Sequence, residues 1–283
     1  MQKVIVTGGA GFIGSNLVDK LIEMGIEVTI IDNFSTGKRE NVNPAAYCWE
    51  QDIAKVDILA LEEYVKDADV VFHMAAIARI QPSFKIPYKY INTNFNGTYN
   101  LVRACNSHDV PLIHAGSSSH HSGKFQNPYT FSKDIAEDVI KLYEEHFNLK
   151  ASIARFYNVY GPNQLVEGGY TTLIGRWMHN IEKNTECTIY GDGKKRRDFT
   201  HVDDIVDGLI KIMENKCYGF TFEFGRGKNY SINEVANMFG ITPKYEDGKP
   251  GEAQETLADY SLANVSLGWV PQLNLEEYIN RRK

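Results

Sequence analysis

The chain has 283 residues, 43% hydrophobic and 12% aromatic, enough apolar mass for one large core or two modest ones and too much for a disordered chain. Lys and Arg number 30 against 36 Asp and Glu, a formal net charge of -6, so the chain has no basic excess to offer a polyanion and no nucleic-acid partner is expected. Cys48, Cys105, Cys187 and Cys217 lie far apart with no Cys-x-x-Cys spacing, which argues against a zinc site or a disulfide framework and fits a reducing cytoplasm. The opening residues run straight into glycines, and nowhere do about 18 apolar residues follow one another, so neither a signal peptide nor a membrane span is expected.

In chain order, the pattern predicts a strand over 4–6, a helix over 12–24, a strand over 28–31 and another over 70–72. A helix over 94–106, a strand over 112–113, a helix over 131–147 and a strand over 152–154 follow. The helices carry apolar residues at i, i+3, i+4 and i+7, so each lays one stripe on a sheet, and the alternation is that of β-α-β units around a parallel sheet. After Tyr160-Gly161-Pro162 the alternation stops, and turns at 167–169 and 191–193 separate shorter elements. Residues 220–224 alternate like a strand and are expected to return to the first sheet. The expected fold is therefore α/β, a doubly wound parallel sheet over 1–160 with a returning segment at about 200–226. A smaller, interleaved substrate domain takes 161–199 and 227–283.

Thr7-Gly8-Gly9-Ala10-Gly11-Phe12-Ile13-Gly14 lies between the first strand and the first helix, where a dinucleotide-binding (Rossmann) turn belongs. Glycine at 8, 11 and 14 allows a tight turn and lets a pyrophosphate reach the free N–H groups of the helix. Asp32 ends the second strand 18 residues past the last glycine, where a carboxylate accepts from ribose hydroxyls and repels a 2′-phosphate. That favours NAD over NADP, although Lys38 and Arg39 stand close enough to hold a phosphate.

A tyrosine precedes a lysine by four positions at Tyr129/Lys133, Tyr190/Lys194 and Tyr245/Lys249. Glycines inside the second and third predict loops. The first opens a helical run, so its two side chains share a face, and an ammonium beside a phenol favours the phenolate that a proton acceptor for a sugar hydroxyl needs. Ser117, Ser118 and Ser119 follow the 112–115 strand and place hydroxyls at the carboxyl end of the sheet, where one can reach a reacting oxygen.

Together these motifs resemble the extended short-chain dehydrogenase/reductases, and within them the NAD-dependent nucleotide-sugar epimerases and dehydratases, most closely the UDP-glucose 4-epimerase-like branch. Further carriers are His73-Met74-Ala75-Ala76, residues 94–98, Arg155-Phe-Tyr-Asn158-Val-Tyr-Gly-Pro162 and residues 190–202. The resemblance implies NAD contacts by Gly8, Gly11, Phe12, Ile13 and Gly14 at the pyrophosphate. Asp32, Asn33, Ser35, Thr36 and Gly37 would meet the adenosine ribose, Asp52 and Ile53 the adenine, and Ala75, Ala76 and Asn94 would line the groove. Lys133 would also hold the nicotinamide ribose, Tyr129 would act as acid and base, Ser119 would hydrogen-bond the sugar oxygen and Tyr157 would flank the nicotinamide. Asn158, Arg197 and Lys249 would bind the substrate diphosphate, Lys249 standing where the resemblance suggests an arginine.

Two further features depart from that pattern. Ser119 and Tyr129 are only ten positions apart, which shortens the loop over the sugar. His120 and His121 stand where dehydratases and decarboxylases place an acid, and adjacent strand positions point them to opposite faces, which argues against a shared metal. Either imidazole could replace that acid. The resemblance thus implies 4-epimerisation of a nucleotide-diphosphate sugar, such as a UDP-hexose, through a 4-keto intermediate. A dehydratase, a decarboxylase, a 4-keto reductase or a silent NAD-binding module remain alternatives. A homodimer through helices 94–106 and 131–147 is implied, and the sugar's identity turns on the surroundings of Arg79, Gln81 and Tyr170.

Overall fold

The structure, a computed structural model, describes residues 2–282. Its central strands are β1 (Lys3–Thr7), β2 (Glu27–Asp32), β3 (Tyr47–Glu50), β4 (Val70–His73), β5 (Leu112–Ser117) and β6 (Ala151–Phe156). Short strands β7 (Thr188–Tyr190) and β8 (Arg196–Asp198) lie outside the sheet, and β9 (Phe220–Phe224) returns to it parallel to β6. The order is β3-β2-β1-β4-β5-β6-β9, all parallel, so the direction of winding reverses between β1 and β4. A crevice opens at the carboxyl ends of the strands at such a reversal.

Side-chain alternation along β1 assigns the two faces. Val4 and Val6 pack with Leu17, Val18 and Leu21 of α1 (Phe12–Glu23), all essentially inaccessible. Ile5 points to the opposite face, with Leu61 of α2 (Ile58–Val65). Each such side chain contributes about 1.5–3 kcal/mol of transfer free energy, which is why a 3.6-residue stripe suffices to dock a helix. Two short helices, α3 (Ile80–Lys85) and α4 (Pro87–Tyr90), lead into a π-helical segment, Ile91–Asn96, and then α5 (Gly97–Ser107). The helix expected from residue 94 is thus wound differently in its first turn. With α6 (Pro128–Phe147), α2 and α5 cover the Ile5 face. Asn127 caps α6, its Oδ1 accepting from Thr130 N at 2.8 Å ahead of Pro128, so the helix starts three residues before the predicted boundary and includes Tyr129.

The smaller body uses α7 (Leu173–Glu182), α9 (Ile232–Phe239) and α11 (Leu275–Asn280) around Trp177, Phe199 and Phe239. Between them, α8 (Val202–Asn215) packs on α1's face of the sheet. Strand β10 (Asn229–Ser231) pairs with β8, and β11 (Lys244–Glu246) pairs with β7. Tyr190 and Tyr245 therefore stand on paired strands, and only their lysines fall in the loops expected for both. Helix α10 (Ser261–Leu267) and Trp269 belong to the sheet's core rather than to the smaller body in which 227–283 was placed. Trp269 packs edge-on against Phe224, with ring centroids 4.9 Å apart, and its Nε1 donates to Asp204 O at 2.9 Å. Among the described residues no helix is long and apolar enough to cross a membrane.

Candidate active site

A cavity of about 590 Å³ runs from the β1–β4 reversal to the smaller body. The glycine turn forms its floor. Gly8 has φ +71°, and a Cβ there would sit 2.7 Å from Ala75 N. At Gly14 a Cβ would lie 2.1 Å from Gly8 O, so the first turn of α1 can approach the loop only without a side chain. Asp32 is held ready at the end of β2, its Oδ1 accepting from Phe34 N at 2.8 Å and its Oδ2 from Ala10 N at 3.0 Å. Burial raises its carboxyl pKa, and the two backbone donors pull it back down. This cradle, a helix N-terminus opening behind side-chain-free backbone with a buried carboxylate beyond it, fits NAD.

Beneath the cradle a buried relay fixes one imidazole tautomer. Ala75 N donates to Thr7 Oγ1 at 3.3 Å, and Thr7 Oγ1 lies 2.8 Å from His73 Nδ1. His73 Nε2 lies 2.8 Å from Thr98 Oγ1, which donates to Asn94 O at 2.6 Å. Thr98 spends its proton on that carbonyl, so His73 carries its own proton on Nε2 and accepts at Nδ1. Burial, with the Lys133 charge nearby, lowers its pKa to about 3 and keeps it neutral.

Of the residues expected to meet the cofactor, all but Asn94 and Tyr157 line this cavity. Asn94 lies behind the wall, its Oδ1 accepting from Ile77 N at 2.8 Å and its Nδ2 donating to Ser132 Oγ at 2.9 Å. Tyr157, one residue past the end of β6, turns away from the cavity that its neighbours Phe156 and Asn158 line. Its hydroxyl donates to Glu223 Oε2 at 2.8 Å.

At the reacting end, Tyr129 Oη donates to Ser117 Oγ at 3.2 Å, and Ser117 Oγ lies 2.9 Å from Ser119 Oγ. Ser117 is thus the hydroxyl against the tyrosine. Ser119, singled out from sequence, also lines the cavity but bonds to Ser117. Spacing alone could not choose among three consecutive serines, and the signal that does is the last inward position of β5. His120 and His121 lie on a 3₁₀ turn, Ser118–Ser122, rather than a strand. His120 Nδ1 pairs with Asp134 Oδ1 at 3.0 Å and His121 Nε2 with Glu223 Oε1, and neither ring lines the cavity.

Lys133 Nζ donates to Ala115 O at 2.6 Å and to His114 Nε2 at 3.2 Å. His114 must therefore carry its proton on Nδ1, a buried nitrogen with no partner among the described residues, and burial holds that ring neutral. Burial raises the Tyr129 phenol pKa, opposed by the Ser117 hydrogen bond and by the Arg79 charge. Arg79, one of the cavity's lining residues, is thus a cation that favours the phenolate, a part the sequence assigned to Lys133 alone.

Burial brings Lys133 from the ordinary 10.5 to about 8, against the pull of Glu137 and Asp134. Between those two values the unfolded chain holds the proton and the folded chain does not, so stability from this group rises with pH across that window and is lowest below it. Lys133→Met lacks this dependence but leaves the Ala115 carbonyl and His114 Nε2 without their donor, so relative to the variant the parent is expected to gain up to about 3 kcal/mol between pH 7 and pH 10.5. Urea titrations of both proteins across that range check the sign.

The far end is basic. Arg197 donates from Nη1 to Arg196 O at 2.8 Å, and Lys195 Nζ lies 2.9 Å from Glu252 Oε2. Lys249 Nζ stands 3.2 Å over the Tyr190 ring centroid. Asn158 spends its Nδ2 on Asp198 O and Thr256 Oγ1, and among the described residues its Oδ1 has no donor.

Comparison with known proteins matches residues 4–223 to the NAD dependent epimerase/dehydratase family. A putative UDP-glucose 4-epimerase of Methanocaldococcus jannaschii is 33% identical over 98% of this chain and 96% of its own. UDP-glucuronic acid decarboxylase 1 of Arabidopsis thaliana is 28% identical over 99% of this chain and 68% of its own. The crystal structure of UDP-glucose 4-epimerase from Thermotoga maritima with UDP-glucose superposes with a TM-score of 0.92 at 31% identity, covering 98% of this chain and 96% of that one.

Proposed function

The chain belongs to the NAD dependent epimerase/dehydratase family, its cofactor is NAD, and we propose that it epimerises a nucleotide-diphosphate sugar, of the UDP-hexose type, at C4. One observation carries the choice of reaction. The acidic residues lining the cavity are Asp32, Asp52 and Glu252, the first two at the adenosine end and the third paired with Lys195. Among the described residues none of these stands beside Tyr129 and Ser117, and Asp134 and Glu137 near the tyrosine do not line the cavity, so the site has a base for a hydroxyl proton but no lining carboxylic acid to expel water from the sugar.

When bound, NAD supplies reversible oxidation at the sugar carbon. The chain's residues supply the rest. Ser117 Oγ holds the C4 oxygen, and Tyr129 Oη takes its proton and later returns it. Lys133, tethered to Ala115 O, presents its amine to the nicotinamide ribose, while Asp32 accepts from the adenosine ribose. Arg197 and Lys249 neutralise the diphosphate, the first as a planar fork and the second as a point charge. The 4-keto sugar turns over in the cavity, so that the hydride returns to the opposite face of C4 while the C4 oxygen takes its proton back from Tyr129. Exposed Tyr99 on α5, with Leu142 and Phe147 on α6, would form the contact of a homodimer.

Purified protein incubated with UDP-hexoses and no added cofactor is expected to return a product of unchanged mass with an altered H4 coupling in the proton spectrum. A product lighter by water or carbon dioxide would show a dehydratase or decarboxylase instead, and the absence of any product that depends on the protein would leave only NAD binding.

A further inference from the structure

We propose that Arg79 and Arg176 form a carboxylate clamp at the sugar end of the cavity, and that the preferred substrate is an acidic nucleotide sugar with its carboxylate beside the reacting carbon. This rests on the reading that Tyr129 acts at the sugar's C4.

Four observations carry it. Both arginines line the cavity, and both guanidinium groups hang from the same short stretch of chain. Arg79 Nε donates to Tyr170 O at 3.0 Å, while Arg176 donates from Nε and Nη2 to the adjacent Thr171 Oγ1 at 2.9 and 2.5 Å. Among the described residues neither arginine forms an ion pair, in contrast to Arg155 with Glu137 or Lys195 with Glu252. Both arginines are half-buried, burial and the Arg176 charge lower the Arg79 guanidinium's pKa, and among the described residues no carboxylate pairs with either, so two like charges stand near one another without a counter-ion. Such a pair is costly unless an anion completes it.

Position then says which anion. Residue 78, next to Arg79, accepts through its carbonyl from Tyr90 Oη at 3.0 Å, and the Tyr90 ring stands edge-on to Tyr129 with centroids 6.3 Å apart. The clamp thus opens at the tyrosine, whereas the diphosphate cations Arg197 and Lys249 gather at the other end. An anion there belongs to the sugar itself. Arg79 also adopts φ +91° and ψ 133°, a backbone conformation that side chains rarely take, as the residue before α3. Strain of this kind persists where the surroundings demand one placement of a side chain, and here it aims a guanidinium into the cavity. A planar fork suits a carboxylate in two-point contact.

The test compares the holoenzyme on UDP-glucuronate and UDP-galacturonate, acidic at C5, on UDP-N-acetylmuramate, acidic through O3, and on neutral UDP-glucose and UDP-N-acetylglucosamine. At least one acidic sugar is expected to exceed the neutral ones in kcat/KM by tenfold or more, and which it is locates the carboxylate. Arg79→Gln and Arg176→Gln should each raise KM for that acid about 10- to 100-fold and erode the acid-over-neutral ratio, with the loss in KM exceeding that in kcat. Arg79→Gly guards against misfolding, since it relieves the positive φ and is expected to melt no lower than the parent while losing the same preference. Preference for neutral sugars, or an acid preference that survives both glutamine variants, overturns the clamp alone. If calorimetry on Tyr129→Phe finds no nucleotide sugar bound at all, the epimerase reading falls with it.

Discussion

Tyr129→Phe is expected to lower turnover by about 10²- to 10⁴-fold, the usual weight of a positioned general acid and base. The substitution removes one oxygen from a buried site and little else. Ser117 Oγ keeps its partner in Ser119 Oγ, so no hydroxyl is stranded, and the melting temperature should move by no more than a few degrees. A large kinetic loss on a nearly unchanged fold would separate chemistry from structure. The pH dependence adds a second reading. Burial raises the phenol pKa and Arg79 lowers it, so Arg79→Gln should move the acid limb of the pH–rate profile to higher pH in whatever activity remains. Steady-state rates for the Phe variant within threefold of the parent would remove Tyr129 from the reaction.

How far the sequence reveals this site depends on whether a feature is local. The glycine turn, Asp32 and the pairing of Tyr129 with Lys133 on one helix are fixed by periodicity within a few residues, and so are the strands that carry them. Strand β3 shows no such period. Tyr47 and Glu50 are exposed and Cys48 and Trp49 half-buried, because an edge strand buries little, so its register is set by β2 rather than by its own pattern. Features that depend on distant partners were less legible. Ser117 and Ser119 differ only in which of them meets a tyrosine twelve and ten residues on. Tyr157 is diverted by Glu223 on β9, and Trp269 is drawn to the sheet by Phe224, both pairings of segments far apart in the chain. The charge that Arg79 brings to the tyrosine from a separate loop is hidden for the same reason, as are the contacts that hold the Lys133 amine on Ala115 and His114.

Glu137→Gln is expected to cost roughly 3–5 kcal/mol of stability, since it strands the Arg155 charge between α6 and β6. The Glu137 carboxylate is 1% exposed and Arg155 7%, and Arg155 Nε and Nη2 donate to Glu137 Oε2 at 3.1 and 2.6 Å. The fold makes room for the pair at Gly116, where a Cβ would lie 2.8 Å from Glu137 Oε1. Replacing both partners, as in Glu137→Leu with Arg155→Met, removes the two charges together and should recover much of the loss. Denaturant unfolding of the single and double variants measures the difference, and a double variant no more stable than Glu137→Gln would show that packing rather than stranded charge governs the site. The same pair reaches the chemistry. Glu137 is one helical turn beyond Lys133 and is the largest influence holding that amine's pKa up against burial. Without the carboxylate the amine should titrate below its value of about 8, so its charge is lost at lower pH and the alkaline limb of activity in Glu137→Gln should move down the pH scale. A stability defect that left that limb in place would assign Glu137 to the fold alone; movement of the limb would make it a positioning residue for the lysine as well.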